Sequence, residues 1–245
     1  MKPLPTPSED VLKDLAPTGP IRAAINFGNP VLAQKHPQTG EPQGASVDLA
    51  RELGRRLDRD LELITFDGAG KVFEAAKSSA WDIAFLAIDP VRAAEIAFTA
   101  PYVVIEGTYI VRDGSPLRTQ DDFDRTGVRI AVGKGAAYDL FLTRALQHAE
   151  LVRADTSAAA LDLFMATGLE AAAGVRQPLL AYAAEHGGLR VIEGRFTAIE
   201  QAMGTPKGRP AGLAYLQAFI ASVKAGGFVA RALQRSGQTG ASVAP

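Results

Sequence analysis

Three strand-to-helix junctions carry the residues that could do chemistry in this 245-residue chain. The first is Asp89-Pro90-Val91-Arg92. Asp is a strong N-cap and Pro is preset for the first helical turn, so the stretch predicts a short helix with Arg92 in its first turn. A cation at that end opposes the helix dipole. An anion held between the two removes the conflict, and a guanidinium grips a carboxylate through two parallel bonds. A salt bridge from Arg92 to Asp89 or Glu95 is the plainer alternative. The second junction is Gly133-Lys134-Gly135-Ala136-Ala137-Tyr138. Its small residues either let the backbone approach a ligand or simply make a tight turn that packs a helix on a sheet. The third is Gly174-Val175-Arg176-Gln177-Pro178, where position alone favours a solvated charge for Arg176. In open α/β sheets ligands bind beyond the carboxyl ends of the strands, where helix N-termini suit a carboxylate.

The same sequence excludes most other chemistry. Cysteine is absent, which removes disulfides, thiol nucleophiles and Cys-based zinc sites. The residue after Lys134 is Gly, so Gly133-Lys134-Gly135 is no phosphate-binding P-loop, and no G-x-G-x-x-G or G-x-S-x-G pattern is complete. His36, His148 and His186 lie far apart and show no metal-ligand spacing, so neither metal nor cofactor is expected. With 26 Lys and Arg against 27 Asp and Glu, no basic field exists to hold a nucleic acid. Hydrophobic residues at 47% and charged residues at 22% are ordinary for a globular core. No apolar run has the length of a membrane span. Residues 1–7 contain no hydrophobic signal core, which fits either a leaderless protein or one whose export signal has been replaced.

The junctions must be positioned by alternating strands and helices. Strands are expected over residues 21–26, 61–66, 82–87, 102–112, 128–132, 150–154, 170–175 and 189–193, with 195–203 extended. Helices are expected over 46–57, 69–78, 136–148, 156–167, 177–186, 209–224 and 227–235. Residues 1–20 read as a Pro-rich lead-in and 27–44 as an irregular Gly/Pro/Gln-rich stretch. The pattern restarts after the long strand ending at Arg112, so two α/β lobes with mostly parallel sheets are expected.

Five segments, in order, resemble the family-3, amino-acid-type bacterial solute-binding proteins, receptor subunits of ABC importers. Gly40 to Ala50 resembles the entry to the first helix, and Asp82 to Arg92 the ligand loop with its carboxylate-binding Arg. Ala97-Phe98-Thr99-Ala100-Pro101-Tyr102 resembles the phrase before the hinge. Val128 to Tyr138 resembles the second-lobe strand and small-residue loop, and Ala202 to Gly208 the return segment. The resemblance spans roughly residues 18 to 240. It implies a two-lobed, type II periplasmic-binding-protein fold with two hinge crossovers. Lobe 1 would be 1–103 plus 200–245 and lobe 2 would be 104–199, closing on a ligand in the cleft. It further implies a monomeric, non-enzymatic receptor, periplasmic or extracellular, that serves an ABC permease in the membrane.

Carried over position by position, Arg92 would clamp a ligand carboxylate beside the Ala87 backbone and the Asp89 side chain. Gly135, Ala136 and Ala137 would offer N–H groups, and Asn26, Phe27 and Asn29 would line the other side. Three departures bear on specificity. Arg176 stands where the family typically has an acid that receives a ligand ammonium, Asn26 stands where an acid is common, and Asp67-Gly68-Ala69-Gly70 lacks the usual aromatic lid. The ligand loop is also about two residues short. With Arg92 and Arg176 both at the ligand, an organic acid or di-acid is expected ahead of an amino acid, unless Asp89, Glu200 or another acid receives an ammonium. Two other readings remain: a cyclohexadienyl- or arogenate-dehydratase-like enzyme on the same fold, and a ligand sensor without a transporter.

Overall fold

The computed structural model describes residues 6–238 and 240–245, and the first five residues of the Pro-rich lead-in lie outside them. In chain order the elements are α1 (Glu9–Leu15), β1 (Ile21–Asn26), β2 (Gln34–Lys35), β3 (Pro42–Gln43), α2 (Ala45–Leu57), β4 (Leu61–Phe66), α3 (Ala69–Ala76), β5 (Ile83–Ala87) and β6 (Ile96–Arg112). There follow β7 (Arg129–Gly133), α4 (Ala137–Ala145), β8 (Glu150–Ala154), α5 (Ser157–Thr167), β9 (Ala171–Val175), α6 (Arg176–His186) and β10 (Leu189–Val191). The chain ends with β11 (Thr197–Pro206), α7 (Pro210–Ala225), α8 (Phe228–Arg235) and β12 (Ser242–Val243). Contacts divide it into two compact units. One runs to Asp67 and takes in Lys71–Val104 and Glu200–Pro245; the other is Gly68–Gly70 with Ile105–Ile199.

In the first unit β4, β1 and β5 lie parallel, with Ile21↔Leu61 and Ala23↔Ile83 in register, and β11 runs antiparallel to β5. β5 is buried at every position, as the unbroken apolar run Ile83–Ala87 requires of a strand covered on both faces. The sheet is nailed at one corner by Asp82, which is fully buried. Its carboxylate accepts from Arg22 Nε and Nη2, both at 2.9 Å, and from Arg209 Nη1 at 2.9 Å. α2 leans on Gly44, whose φ of 115° suits only glycine and where a Cβ would lie 2.5 Å from the Leu32 carbonyl.

On α2 the Glu52 carboxylate accepts from Arg55 Nε at 2.8 Å and Arg56 Nε at 2.7 Å. Arg55 first, then Arg56, hold Glu52 down to about 2, against a partial burial that pushes the other way. Its folded value thus lies below its unfolded value, so its stabilisation is complete above the ordinary carboxylate range and is lost as pH falls through the folded value. Glu52→Gln should lower the urea midpoint at neutral pH, and the gap from the unmodified chain should close between about pH 4.5 and about pH 2. A gap that stays constant through that window would contradict the ion-pair account.

In the second unit β8, β7 and β9 are parallel, with Arg129↔Glu150 and Ile130↔Ala171 in register. β6 joins antiparallel to β9 (Gly107↔Val175) and carries β10 on its other edge (Val191↔Ile110). The core on one face gathers Ile110, Ala131, Ala160, Leu161, Phe164, Leu169, Ala172 and Leu179. α5 starts at Thr156, whose side chain accepts the Ala159 N–H, and stops at Gly168 in the left-handed region.

Three expectations about elements are corrected. The lead-in holds a helix, α1, begun by the Ser8 cap and anchored by buried Val11 and Leu15. The stretch 27–44 forms a small antiparallel pair, β2–β3. β6 begins at Ile96, earlier than residue 102, because Pro101 does not interrupt the strand.

Candidate functional site

In the first unit the carboxyl ends of β1 and β5 come to one sheet edge, because these strands are adjacent and parallel. Asn26 closes β1, and its Oδ1 accepts the Gly28 N–H at 2.9 Å to start a turn. Half-buried Phe27 bonds back to the Phe66 carbonyl at 2.8 Å, and the Lys35 ammonium lies 5.3 Å from its ring centre. Asn29 is buried. Its carbonyl accepts from Leu32 and Ala33, while its Oδ1 is enclosed without a hydrogen-bond partner among the described residues. A buried amide oxygen of this kind calls for a donor.

At the end of β5, Asp89 Oδ1 accepts the Val91 N–H at 2.8 Å and its carbonyl accepts the Ala93 N–H at 2.8 Å. This is the turn that the Asp-Pro pair predicts, realised as a short 3-10 helix, Arg92–Ala94. It drives the Arg92 side chain inward. Arg92 is 1% exposed, and its Nη1 donates to the Ala87 carbonyl at 2.9 Å. Burial pulls the guanidinium down to about 10 while buried Asp89 opposes the shift, so Arg92 is charged at neutral pH and deprived of water. Exposed Glu200 lies beside this loop, its carbonyl accepting the Ile88 N–H at 2.9 Å.

In the second unit the expected trio of N–H donors is corrected. The Gly135 N–H already goes to Asp139 Oδ2 at 2.8 Å, and the Ala136 N–H goes to the Gly133 carbonyl at 3.0 Å. Buried Asp139 also accepts from Arg153 Nε at 3.0 Å, so the glycine turn is fixed from within. Ala137 is the first residue of α4, a position where an N–H has no partner within the helix.

Arg176, which position alone reads as a solvated charge, is ion-paired and only 21% exposed. Its Nε donates to Glu106 Oε2 at 2.7 Å, its Nη1 reaches the Ile192 carbonyl at 3.5 Å and its Nη2 donates to the Gly194 carbonyl. The other oxygen of Glu106 accepts from Arg195 Nη1 at 3.1 Å. Gly107 makes this meeting possible: a Cβ there would lie 2.9 Å from Phe196, the residue after Arg195. Arg176 first, then Arg195, hold the Glu106 carboxyl below its ordinary value. The sequence reading missed all three partners of Arg176. The available signal was Glu106 itself, the one acidic residue inside the apolar run Tyr102–Arg112.

The model of the bacterial extracellular solute-binding proteins, family 3, matches residues 22–238. No curated protein matches the chain. Among solved structures the chain is similar to a solute receptor for L-cysteine of Neisseria gonorrhoeae (21% identity, 94% of this chain and 93% of that one, TM-score 0.80). It is also similar to a mutant of ArgBP from T. maritima (19%, 92% and 98%, TM-score 0.79). A third is a binding component of an ABC transporter from Wolinella succinogenes complexed with lysine (22%, 89% and 95%, TM-score 0.76). At these identities the likeness is one of fold: the two-lobed α/β fold of periplasmic binding proteins.

Proposed function

Because the chain belongs to the bacterial extracellular solute-binding proteins, family 3, we propose that it is a receptor that binds a small carboxylated ligand and delivers it to an ABC permease from the periplasmic or extracellular side. One observation carries the carboxylate: Arg92 is charged, 1% exposed and held at its own strand end by the Ala87 carbonyl. A guanidinium stripped of water favours an anion that can meet it through paired bonds. Asn29, with its enclosed amide oxygen, supplies an acceptor at the same sheet edge for a ligand donor. Asn26, Phe27, Asp89 and Glu200 complete the ligand surroundings within the first unit.

The ground for expecting a di-acid was the charge of Arg176, and Glu106 balances it. The similar structures from N. gonorrhoeae and W. succinogenes concern cysteine and lysine. We therefore favour an amino acid over an organic acid. The receptor is read as non-catalytic: a dehydratase would need a carboxylic acid to protonate a leaving hydroxyl, and Arg176 stands where that acid was expected.

A thermal-shift screen of standard amino acids, dicarboxylates, keto acids and aromatic acids tests the proposal. A ligand at 100 times its dissociation constant adds roughly 2.7 kcal/mol, which for a chain of this size raises the midpoint by roughly 5–11 °C. A shift of that size with a carboxylated compound is expected. No shift with any of them would overturn the reading.

A further inference from the structure

We propose that the cavity between α2 and α8 is a second binding site, one that takes a phosphate group. Its volume is about 240 Å³, and it is lined by Asp48, Arg51, Glu52, Arg55, Phe228 and Arg235. The lining follows from the sequence. Asp48, Arg51, Glu52 and Arg55 fall at i, i+3, i+4 and i+7 of α2, which is one face of a helix. Phe228 and Arg235 open and close α8, two turns apart, and the Arg235 guanidinium lies 5.8 Å from the Phe228 ring centre. All six residues belong to the first unit, and none is among those at the ends of β1 and β5. The inference therefore stands apart from the receptor reading.

The charges in the cavity are layered. The carboxylates lie deeper, with Glu52 14% and Asp48 25% exposed, and the guanidiniums form the rim, with Arg55 70% and Arg235 56% exposed. The acceptors are largely spent. Glu52 Oε2 accepts from Arg55 Nε at 2.8 Å, and its Oε1 accepts from Arg55 Nη2 at 2.9 Å and Arg56 Nε at 2.7 Å. Asp48 Oδ2 accepts from Arg235 Nη2 at 2.7 Å. Donors are left over. Arg51 makes no ion pair among the described residues and gives one long bond, from Nη2 to the Pro42 carbonyl at 3.3 Å. Three guanidiniums against two carboxylates leave a positive charge, so the cavity suits a group that is anionic and rich in acceptors. One arginine fork satisfies a planar carboxylate, whereas guanidiniums contributed by two helices match the several oxygens of a phosphate. The volume lies below the ~300 Å³ at which pockets for whole small molecules begin, which fits a single phosphate group carried by a free molecule or by a lipid.

The test compares the unmodified chain with Arg51→Gln and Arg59→Gln at low ionic strength, where exposed charges are least screened. Inorganic phosphate and glycerol phosphate are titrated by phosphorus NMR, with acetate as competitor, and phosphatidylglycerol vesicles are used in flotation. Arg51 holds no ion pair among the described residues, so its replacement should leave the fold intact. Arg59 donates to the Asp58 carbonyl past the end of α2 and lies outside the cavity, so its replacement removes the same charge from the same region. The unmodified chain should bind at least one phosphate probe with a dissociation constant of about 1 mM or tighter. Arg51→Gln should weaken that binding by about tenfold or more, and Arg59→Gln should stay within about threefold. Binding of the soluble phosphates identifies a free molecule as the source, and binding of the vesicles alone identifies a lipid headgroup. No binding of any probe, an equal loss in the two variants, unchanged affinity in Arg51→Gln, or acetate that competes as well as phosphate itself would overturn the proposal and leave the receptor reading untouched.

Discussion

Arg92→Ala is expected to abolish ligand binding at concentrations that saturate the unmodified chain. The guanidinium is 1% exposed, so its partner anion would be desolvated with it. Truncating one member of such a pair typically costs about 2–5 kcal/mol of binding, a loss of roughly 30-fold to several thousand-fold. The substitution should also lower the melting temperature, because Asp89, 4% exposed, is left facing the vacated space. The two effects separate in the double variant Asp89→Asn/Arg92→Ala, which should regain part of the stability and none of the affinity. Calorimetric titration of the folded double variant with the ligand found by screening reads the result. Affinity within about threefold of the unmodified chain would remove Arg92 from the site.

Asp82→Ala should produce the largest loss of stability. The carboxylate is wholly buried and joins Arg22, on β1, to Arg209, the residue that precedes α7. Both arginine side chains are about one-fifth exposed or less, at 21% and 18%, so neither recovers full hydration when the acid is removed. Breaking a buried charge network by deleting one member costs about 3–5 kcal/mol, or roughly 6–20 °C of melting temperature for a chain of this length. Asp82→Asn keeps the shape and one acceptor oxygen, and should fall between the two. A melting temperature for Asp82→Ala within about 3 °C of the parent would show that the corner is held by packing instead.

What was legible in the sequence depended on range. Asp89-Pro90 announced a turn two or three residues long, and that turn is what places Arg92. The parallel strands around Ile21–Asn26 and Ile83–Ala87 were legible because each is short, apolar and bounded by breakers. α1 was hidden by its surroundings: seven residues between prolines carry little periodicity, although the Ser8 cap and the Val11–Leu15 spacing were present. The partners of Arg176 were out of reach for another reason. Glu106 is 70 residues away along the chain, and no local pattern specifies a β6–β9 register of Gly107 against Val175. The Gly135 N–H was misassigned for a smaller reason. Asp139 lies one helical turn on, and its side chain folds back to take the bond a ligand was expected to make.

The most direct test of a carboxylate-binding receptor is to remove the negative charge from the ligand and leave the protein untouched. The tightest-binding amino acid from the screen and its primary carboxamide should be titrated side by side into the unmodified chain. The free acid should bind about a hundredfold more tightly or better, because the carboxamide keeps the shape and loses the anion that buried Arg92 is proposed to meet. Equal affinity for acid and amide would contradict the account.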